Sequence, residues 1–313
     1  MPAVPRPPPR RPAGRRPPAV PRRGARPGQW VRGPAPRPGG RSYSVYLPRG
    51  HRRSTRAPVL VLLHGCLQTP AAIADATRFT TVADRNGFLL VVPHQEGRHH
   101  PQRCWRWYEA RHQRRDGGEP AALAALTREV LGERVRWLAD PGRVYVAGMS
   151  AGGAMALALA AIYPDLVAAV AVHSAPPFRS AAHAGQASAA MDGRAPVPPP
   201  APGTAPMPPL IVVQGAADTV VRPANGARVT RQWLAYQPDG DALRHRVDHG
   251  RTAGRSWTRE RWYGGRGRRL LEHWQVAGLG HAWSGGRPDG SFSDPAGPRA
   301  ATIMWSFLRS HRL

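Results

Sequence analysis

The most constraining feature of this 313-residue chain is the pentapeptide Gly-Met-Ser-Ala-Gly at residues 148–152. It follows a short apolar run at residues 144–147 and precedes a stretch of small residues from 153 to 161. This is the G-x-S-x-G pattern in a strand–turn–helix setting. The turn is sharp, so its glycines leave room beside the serine and the hydroxyl is held out of the sheet. The pattern therefore predicts that Ser150 is a nucleophile at the end of a strand.

The rest of the chain alternates between apolar runs and amphipathic stretches. Continuously apolar runs suit strands buried on both faces, and the stretches between them suit helices. The predicted strands are 42–47, 58–63, 88–92, 143–147, 166–172, 210–213 and 270–276. The predicted helices are 70–86, 119–140, 151–163, 224–236 and 296–308. We therefore expect one α/β domain over residues 41–313, with a mostly parallel central sheet and helices on both faces.

Positive charge is concentrated at the N terminus. The formal net charge is +26, and residues 1–41 contain 11 Arg and 13 Pro, whereas the first acidic residue is Asp75. Such a segment cannot bury enough apolar surface to offset the entropy of ordering it, so residues 1–40 are predicted to be disordered. It is either an arm that binds nucleic acid or another anionic surface, or an unstructured leader. The leader is favoured because no nucleic-acid-binding fold accompanies it, so we expect no specific nucleic-acid partner.

Two further composition signals concern linkers and membranes. Residues 185–209 are rich in Ala, Pro and Gly, with eight Pro between 196 and 209, which predicts a linker or mobile insertion. No apolar run is long enough to span a bilayer, and the N-terminal segment lacks the apolar stretch of a secretory signal. The sequence predicts no particular oligomeric state.

A serine nucleophile needs a histidine base, which is itself oriented by a carboxylate. On an α/β sheet of this kind the chain order is serine, acid, histidine. Asp218 comes just after the predicted strand 210–213, and His281 lies in the glycine-rich segment 278–286 after the strand ending at residue 276. We therefore predict Ser150, Asp218 and His281 as a catalytic triad.

An acyl-transfer site also needs N–H donors aimed at the developing oxyanion. One candidate is the backbone N–H of Ala151, directly after the nucleophile, and the other is Cys66, in a loop after an early strand. Cys66 and Cys104 are the two cysteines of the chain, and either one disulfide or two free thiols fits the sequence. No cysteine or histidine cluster has the spacing of a metal site, so neither metal nor cofactor is expected.

Three tryptophans near these segments are candidate substrate-binding residues. Trp105 and Trp107 lie in a polar loop, and Trp283 follows His281 by two positions. An exposed apolar rim would hold an acyl chain or polymer strand. The alternative is that they are ordinary core aromatics. The polar loop favours the substrate-binding interpretation for Trp105 and Trp107, and both interpretations stay open for Trp283.

From about residue 41 to its end, the chain resembles the esterase family of extracellular short-chain-length poly(3-hydroxybutyrate) depolymerases. The resemblance implies an α/β-hydrolase fold, with Ser150 as nucleophile, Asp218 as acid, His281 as base and Cys66 at the oxyanion loop. The chain departs from the family pattern at Gln214, where histidine is usual, and at Arg106, where asparagine is common. The matching segments are HGCLQTP (64–70), CWRWY (104–108), GEPAALAALTREV (118–130), RVYVAGMSAGGAMA (143–156), YPDLVAAVAVHSA (163–175), NGARVTRQW (225–233) and GLGHAWSGG (278–286).

What the resemblance implies is hydrolysis of poly(3-hydroxybutyrate) or related short-chain esters through an acyl-enzyme, outside the cell and without a cofactor. Feruloyl and acetyl-xylan esterases share the family, so an ester-bearing plant polysaccharide is the alternative substrate. A hypothesis of a different class is anion or nucleic-acid binding through the basic N-terminal arm. That hypothesis accounts for the charge but not for the ordered series of matching segments.

Overall fold

A large mixed sheet forms the centre of the structure. The computed structural model describes residues 28–33, 40–52, 54–132, 137–201 and 203–313. The described strands are β1 (Gln29–Arg32), β2 (Tyr43–Leu47), β3 (Ala57–Leu63), β4 (Leu89–Pro93), β5 (Ala139–Met149), β6 (Ala169–His173), β7 (Leu210–Gly215), β8 (Arg244–Thr252), β9 (Arg255–Tyr263), β10 (Arg269–Val276), β11 (Trp283–Ser284) and β12 (Ser293–Asp294). The described helices are α1 (Pro70–Thr77), α2 (Phe79–Asn86), α3 (Gly118–Gly132), α4 (Ala151–Ile162), α5 (Ala184–Met191), α6 (Ala224–Ala235) and α7 (Ala300–Leu308).

The centre of this sheet is parallel and its two edges are antiparallel. Across the described part of the chain, the strand order is β1-β2-β4-β3-β5-β6-β7-β10-β9-β8. Strands β4, β3, β5, β6, β7 and β10 run parallel to their neighbours within that series. Strands β1 and β2 at one edge, and β9 and β8 at the other, pair antiparallel. The predicted α/β fold with a mostly parallel sheet is confirmed.

Both faces of the sheet are covered, as the continuous apolar strands require. Along β3, Val59 and Val61 belong to the core on the side of α3, α4 and α6. The alternating residues Leu60 and Leu62 belong to the core on the side of α1, α2 and α7. All four side chains are fully buried. Because the central strands are parallel, the loops that follow β3, β5, β6, β7 and β10 all lie at the carboxyl ends of the strands. Open α/β sheets place their sites at these ends.

The N-terminal segment contains a strand that the sequence analysis did not predict. Within the stretch expected to be disordered, β1 pairs antiparallel with β2, and the ring of Trp30 lies 5.2 Å from that of Tyr46. The contact between the Trp30 and Tyr46 rings and the backbone hydrogen bonds between β1 and β2 together offset the entropy that residues 29–32 lose on becoming ordered. The prediction is therefore wrong for this strand, and residues 1–27 and 34–39 lie outside the described residues.

Two other predictions of secondary structure need correction, and two strands were not predicted. The predicted helix 70–86 is two helices, because Arg78 adopts a left-handed conformation with φ of 59°. The predicted helix 119–140 overlaps the start of β5, which begins at Ala139. Strands β8 and β9 were not predicted because β8 is largely exposed and charged, so it lacks the apolar alternation that marks a half-buried strand. None of the described helices is long and apolar enough to cross a membrane.

Candidate active site

Ser150 lies on a strained turn between β5 and α4. Its φ and ψ are 56° and −124°, and its N–H donates to the backbone oxygen of His173 at 2.9 Å. A positive φ costs free energy for a residue with a side chain, so the surrounding structure must impose it. A Cβ on Gly148 would overlap the backbone of Gly152, and a Cβ on Gly152 would overlap the carbonyl oxygen of Leu63. The two glycines of the motif are therefore required by close backbone contacts on both sides of the serine.

Asp218 and His281 form a hydrogen-bonded pair. The Oδ2 atom of Asp218 lies 2.9 Å from Nδ1 of His281. The other carboxylate oxygen accepts the backbone N–H groups of Val220 and Val221, both at 2.9 Å. Asp218 is 1% exposed, and burial by itself raises the pKa of its carboxyl. Hydrogen bonds and the charge of His281 outweigh burial, so the pKa lies below its usual value. The carboxylate stays ionised and fixes the orientation of the ring.

His173 connects the serine turn to the histidine loop. Its backbone oxygen holds Ser150, and its Nε2 accepts the backbone N–H of Ser284 at 3.2 Å. The ring stacks on Trp283 with centroids 5.0 Å apart. Burial lowers the pKa of His173 to about 3, so the imidazole is neutral and keeps a lone pair for the Ser284 N–H. His173 was not among the predicted site residues, although it lies within the matching segment 163–175.

The loop after β3 lies beside the serine. A Cβ built on Gly65 would lie 3.7 Å from the Cβ of Ser150. Gln68 supports this loop, because its Oε1 accepts the Gly65 N–H at 2.9 Å and its Nε2 donates to the backbone oxygen of Ser291 at 3.0 Å. Cys66 is part of this turn, and Ala151 is the first residue of α4, where backbone N–H groups have no acceptor within the helix. Both backbone N–H candidates thus belong to segments adjacent to Ser150.

Cys66 and Cys104 form a disulfide, which decides between the two alternatives that the sequence left open. The bond joins the loop after β3 to the segment 104–108. A second contact supports the same connection, since Nε1 of Trp105 donates to the backbone oxygen of His64 at 3.0 Å. The position of the Cys66 turn therefore depends on how the segment 104–108 is held.

A buried carboxylate, Glu119 at the start of α3, holds that segment. Its Oε2 accepts the backbone N–H of Arg106 at 2.7 Å. Its Oε1 accepts Nε2 of Gln95 at 2.5 Å and Nη2 of Arg41 at 3.2 Å. Gln95 also donates to the backbone oxygen of Cys104 at 3.0 Å. Glu119 is 2% exposed, and burial raises the pKa of its carboxyl. We call Glu119, Gln95 and Arg41 the Glu119 cluster; sequence reasoning did not single it out.

The three candidate tryptophans do not form an exposed rim. Trp105 is fully buried and Trp107 and Trp283 are 7% and 1% exposed. Trp105 packs beside His64, and Trp283 lies between His173 and Phe79. The prediction of exposed apolar groups from these residues is wrong, because each ring fills space behind a loop of the site.

Other apolar side chains are exposed near the site. Leu67 follows Cys66 and is 63% exposed, and Val220 is 48% exposed two residues after Asp218. Phe292 is 44% exposed, and its ring centroid lies 6.4 Å from that of His281. We call Leu67, Val220 and Phe292 the apolar rim. No sequence pattern identifies these residues, since the type of a loop residue does not report its exposure.

The departures from the family pattern fall at two different places. Nε2 of Gln214 donates to the backbone oxygen of Val221 at 3.0 Å and lies 3.4 Å from Oδ2 of Asp218. This side chain therefore supports the acid loop. Nη2 of Arg106 donates to the backbone oxygen of His99 at 2.7 Å, so Arg106 supports the polar loop instead.

Comparison with known proteins identifies relatives of this arrangement. The profile of the family described as Esterase PHB depolymerase matches residues 41–255, a range that contains Ser150 and Asp218 but ends before His281. Poly(3-hydroxyalkanoate) depolymerase C of Paucimonas lemoignei is 28% identical over 254 residues, which cover 78% of this chain and 59% of that protein. Feruloyl esterase B of Neurospora crassa is 33% identical over 146 residues, covering 46% and 47% of the two chains. The chain thus spans between about half and three-fifths of these relatives.

A similarity of fold extends further than the similarity of sequence. The acetyl xylan esterase from Aspergillus awamori superposes with a TM-score of 0.67 at 18% identity, covering 90% of this chain and all of that one. At that identity the likeness concerns the fold. It agrees with the α/β-hydrolase architecture described above.

Proposed function

The chain belongs to the esterase PHB depolymerase family, and from that premise we propose that it is a carboxylic ester hydrolase that cleaves poly(3-hydroxybutyrate) or related short-chain hydroxyalkanoate esters through an acyl-enzyme on Ser150. The observation that carries the proposal is the buried Asp218–His281 hydrogen bond. The loop that contains His281 is connected to the strained Ser150 turn by His173, which accepts hydrogen bonds from the N–H groups of both Ser150 and Ser284. In this assignment Ser150 is the nucleophile, His281 the base and Asp218 the acid.

The first step is acylation of the serine. A serine hydroxyl is a weak nucleophile near neutral pH, so the free nitrogen of His281, Nε2, accepts its proton as Oγ attacks the ester carbonyl. Asp218 holds the ring by its Nδ1 and stabilises the imidazolium that forms. When the tetrahedral intermediate collapses, His281 gives the proton to the departing alcohol oxygen, and the acyl group remains on Ser150.

The second step releases the acid. His281 removes a proton from water, which attacks the acyl-enzyme carbonyl, and Ser150 leaves with that proton. In both steps negative charge develops on the carbonyl oxygen. We assign its stabilisation to the backbone N–H groups of Cys66 and Ala151, because the segments that carry them adjoin Ser150.

The apolar rim is the proposed contact surface for the substrate. Leu67, Val220 and Phe292 each adjoin a different part of the site, namely the oxyanion loop, the acid and the base. Exposed apolar side chains around an active site favour an apolar partner, because contact removes their surface from water. An aliphatic polyester meets that description better than a free polysaccharide does.

The second candidate is an ester of a plant polysaccharide. It is favoured by the sequence similarity to a feruloyl esterase. The mechanism would be unchanged, and only the acyl and alcohol groups held at the apolar rim would differ.

We further propose that the enzyme works outside the cell. The Cys66–Cys104 disulfide supports this location, because such bonds persist in oxidising compartments and are rare where thiols are kept reduced.

The test compares four substrates: poly(3-hydroxybutyrate) film with its soluble oligomers, p-nitrophenyl butyrate, methyl ferulate and acetylated xylan. Each is assayed with the wild-type chain, with Ser150→Ala and with Ser188→Ala, an exposed serine on α5 that serves as the matched control. We expect Ser150→Ala to lower kcat by about 10⁴-fold or more and Ser188→Ala to leave it unchanged.

The outcomes separate the candidates. Serine-dependent release from hydroxybutyrate substrates supports the depolymerase-type assignment. Activity confined to ferulate or acetylated xylan keeps the mechanism and moves the substrate to plant esters. Retained activity in Ser150→Ala refutes the assignment of the nucleophile.

A further inference from the structure

The proline-rich segment is anchored to the body of the protein rather than being a free linker. The backbone oxygen of Met191 accepts Nδ2 of Asn225 at 2.6 Å. Further along, the backbone oxygen of Pro208 accepts Nε1 of Trp233 at 2.7 Å. Arg228 also donates to the backbone oxygen of Ala195. The prediction of a linker or mobile insertion over 185–209 is therefore corrected, because α5 begins this segment and side chains of α6 hold it at several points.

A groove of about 440 Å³ lies between α5 and the first prolines of this segment. Its volume falls within the range of about 300–1,000 Å³ that small-molecule sites occupy. Short side chains line most of it: alanines 181, 182, 189 and 195, and prolines 196 and 198. We call this feature the alanine groove. It stays open because methyl groups are too short to fill the space between the helix and the proline segment.

The polar groups around the alanine groove are hydrogen-bond donors. Arg179, Gln186 and Arg194 contribute to its lining together with Ser180, and among the described residues no carboxylate does. Arg194 also pairs with Asp192, at 2.7 Å, outside the lining. Guanidinium groups donate and never accept hydrogen bonds, whereas amide and hydroxyl groups can do both. The two arginines therefore favour a ligand that is apolar along its length and offers hydrogen-bond acceptors.

The alanine groove adjoins the acid loop of the proposed active site. The backbone oxygen of Met191, at the end of α5, accepts the N–H of Arg222 at 2.9 Å. The preceding residue, Val221, donates its N–H to Asp218. The helix that forms one wall of the groove is thus anchored one residue from a contact of the catalytic acid.

We propose that the alanine groove binds an aliphatic polyester chain with short side groups, as a site for the polymer distinct from the catalytic residues. Such a chain presents methyl and methylene groups to the alanines and prolines, and its ester oxygens accept hydrogen bonds from the arginines and Gln186. Small wall residues leave room for methyl branches. This inference rests on the proposed function, and it gives the proline-rich segment a role in substrate binding.

The test fills the groove without disturbing the core. Ala182 is exposed and lines the groove, so Ala182→Trp occupies it and Ala182→Asp places a carboxylate against the ester oxygens. Ser188→Trp is the matched control, because Ser188 is exposed on α5, the helix that forms one wall of the groove, and does not line the groove. Adsorption to poly(3-hydroxybutyrate) film is measured in the Ser150→Ala background, so that binding is observed without turnover. Film hydrolysis and p-nitrophenyl butyrate hydrolysis are measured with an intact serine.

We expect both Ala182 variants to lower film adsorption and film hydrolysis about tenfold while kcat/KM for p-nitrophenyl butyrate stays within about twofold, which also shows that the variants fold. Ser188→Trp should match wild type in all three assays. Unchanged or absent film adsorption overturns the inference. If adsorption depends on Ala182 but wild type releases nothing from film, the groove stands and the proposed reaction fails.

Discussion

Replacing Glu119 by glutamine tests whether a buried carboxylate holds the oxyanion loop through the segment 104–108. The two carboxylate oxygens together accept three hydrogen bonds, from Arg106, Gln95 and Arg41. Glutamine supplies one oxygen and an NH₂ group, so at least one donor must face another donor. The Arg41 guanidinium, which is itself 9% exposed, also loses the opposite charge of its buried ion pair.

The expected loss of stability follows from those contacts. Removing one partner of a buried ion pair costs about 3–5 kcal/mol, and a buried donor without an acceptor costs about 1–3 kcal/mol. The two costs are not added here, because both arise from the same contacts of Glu119. We expect Glu119→Gln to lower the free energy of unfolding by about 3 kcal/mol. Losing an oxyanion donor outright lowers kcat by about 10²–10³-fold, so a shifted Cys66 N–H should lower kcat by roughly tenfold.

The assay combines urea unfolding with kcat and KM for p-nitrophenyl butyrate. Glu272→Gln is the matched control, because Glu272 is also 2% exposed and pairs with Arg269 at 2.7 Å on β10, away from the loop after β3. We expect a comparable loss of stability in both variants, and a fall in kcat at unchanged KM in Glu119→Gln alone. Equal kcat values in the two variants, or an effect on KM alone, would refute the positioning role.

Three further predictions concern the disulfide, the serine turn and acid stability. Reducing the Cys66–Cys104 disulfide, whose cysteines are 38 residues apart, should lower the free energy of unfolding by about 2–4 kcal/mol and lower kcat; an unfolding midpoint that dithiothreitol does not move contradicts this. Gly152→Ala should destabilise the protein by about 1–3 kcal/mol and abolish ester hydrolysis, since the new methyl group would overlap the backbone oxygens of Leu63 and His64. Gly132→Ala should be neutral in melting temperature and rate, since no described residue outside its own helix lies within 4 Å of the added Cβ. Buried neutral histidines bind protons only on unfolding. The free energy of unfolding should therefore fall as the pH drops from about 6.5 towards 4, by roughly 1 kcal/mol per pH unit for each such histidine. Urea midpoints that stay constant between pH 7 and 5 would contradict this assignment, which rests on pKa values lowered by burial to about 4 for His64 and His112 and about 3 for His173 and His311.

The central fold could be predicted because its signals are local. Apolar runs such as that of β3 reveal strands buried on both faces, and the helices between them have regular apolar spacing. Strands β8 and β9 escaped prediction for the opposite reason. They extend the sheet at an edge where charged side chains remain in solvent, and they are strands because β9 pairs with β10 and β8 pairs with β9.

The candidate site divides in the same way. By itself, the sequence determined an α/β chain with a serine on a tight turn, because that turn depends on five consecutive residues and their flanks. It also pointed to Asp218 and His281, because chain order and glycine-rich loops are visible without coordinates. The tertiary structure alone decided that the tryptophans are buried, that Cys66 is bonded to Cys104, and that Glu119 and His173 support the loops around Ser150. Those features depend on contacts between residues far apart in the sequence, such as Arg41 and Glu119, which are 78 residues apart. Such contacts form only when the strands and helices pack together, so local sequence does not reveal them.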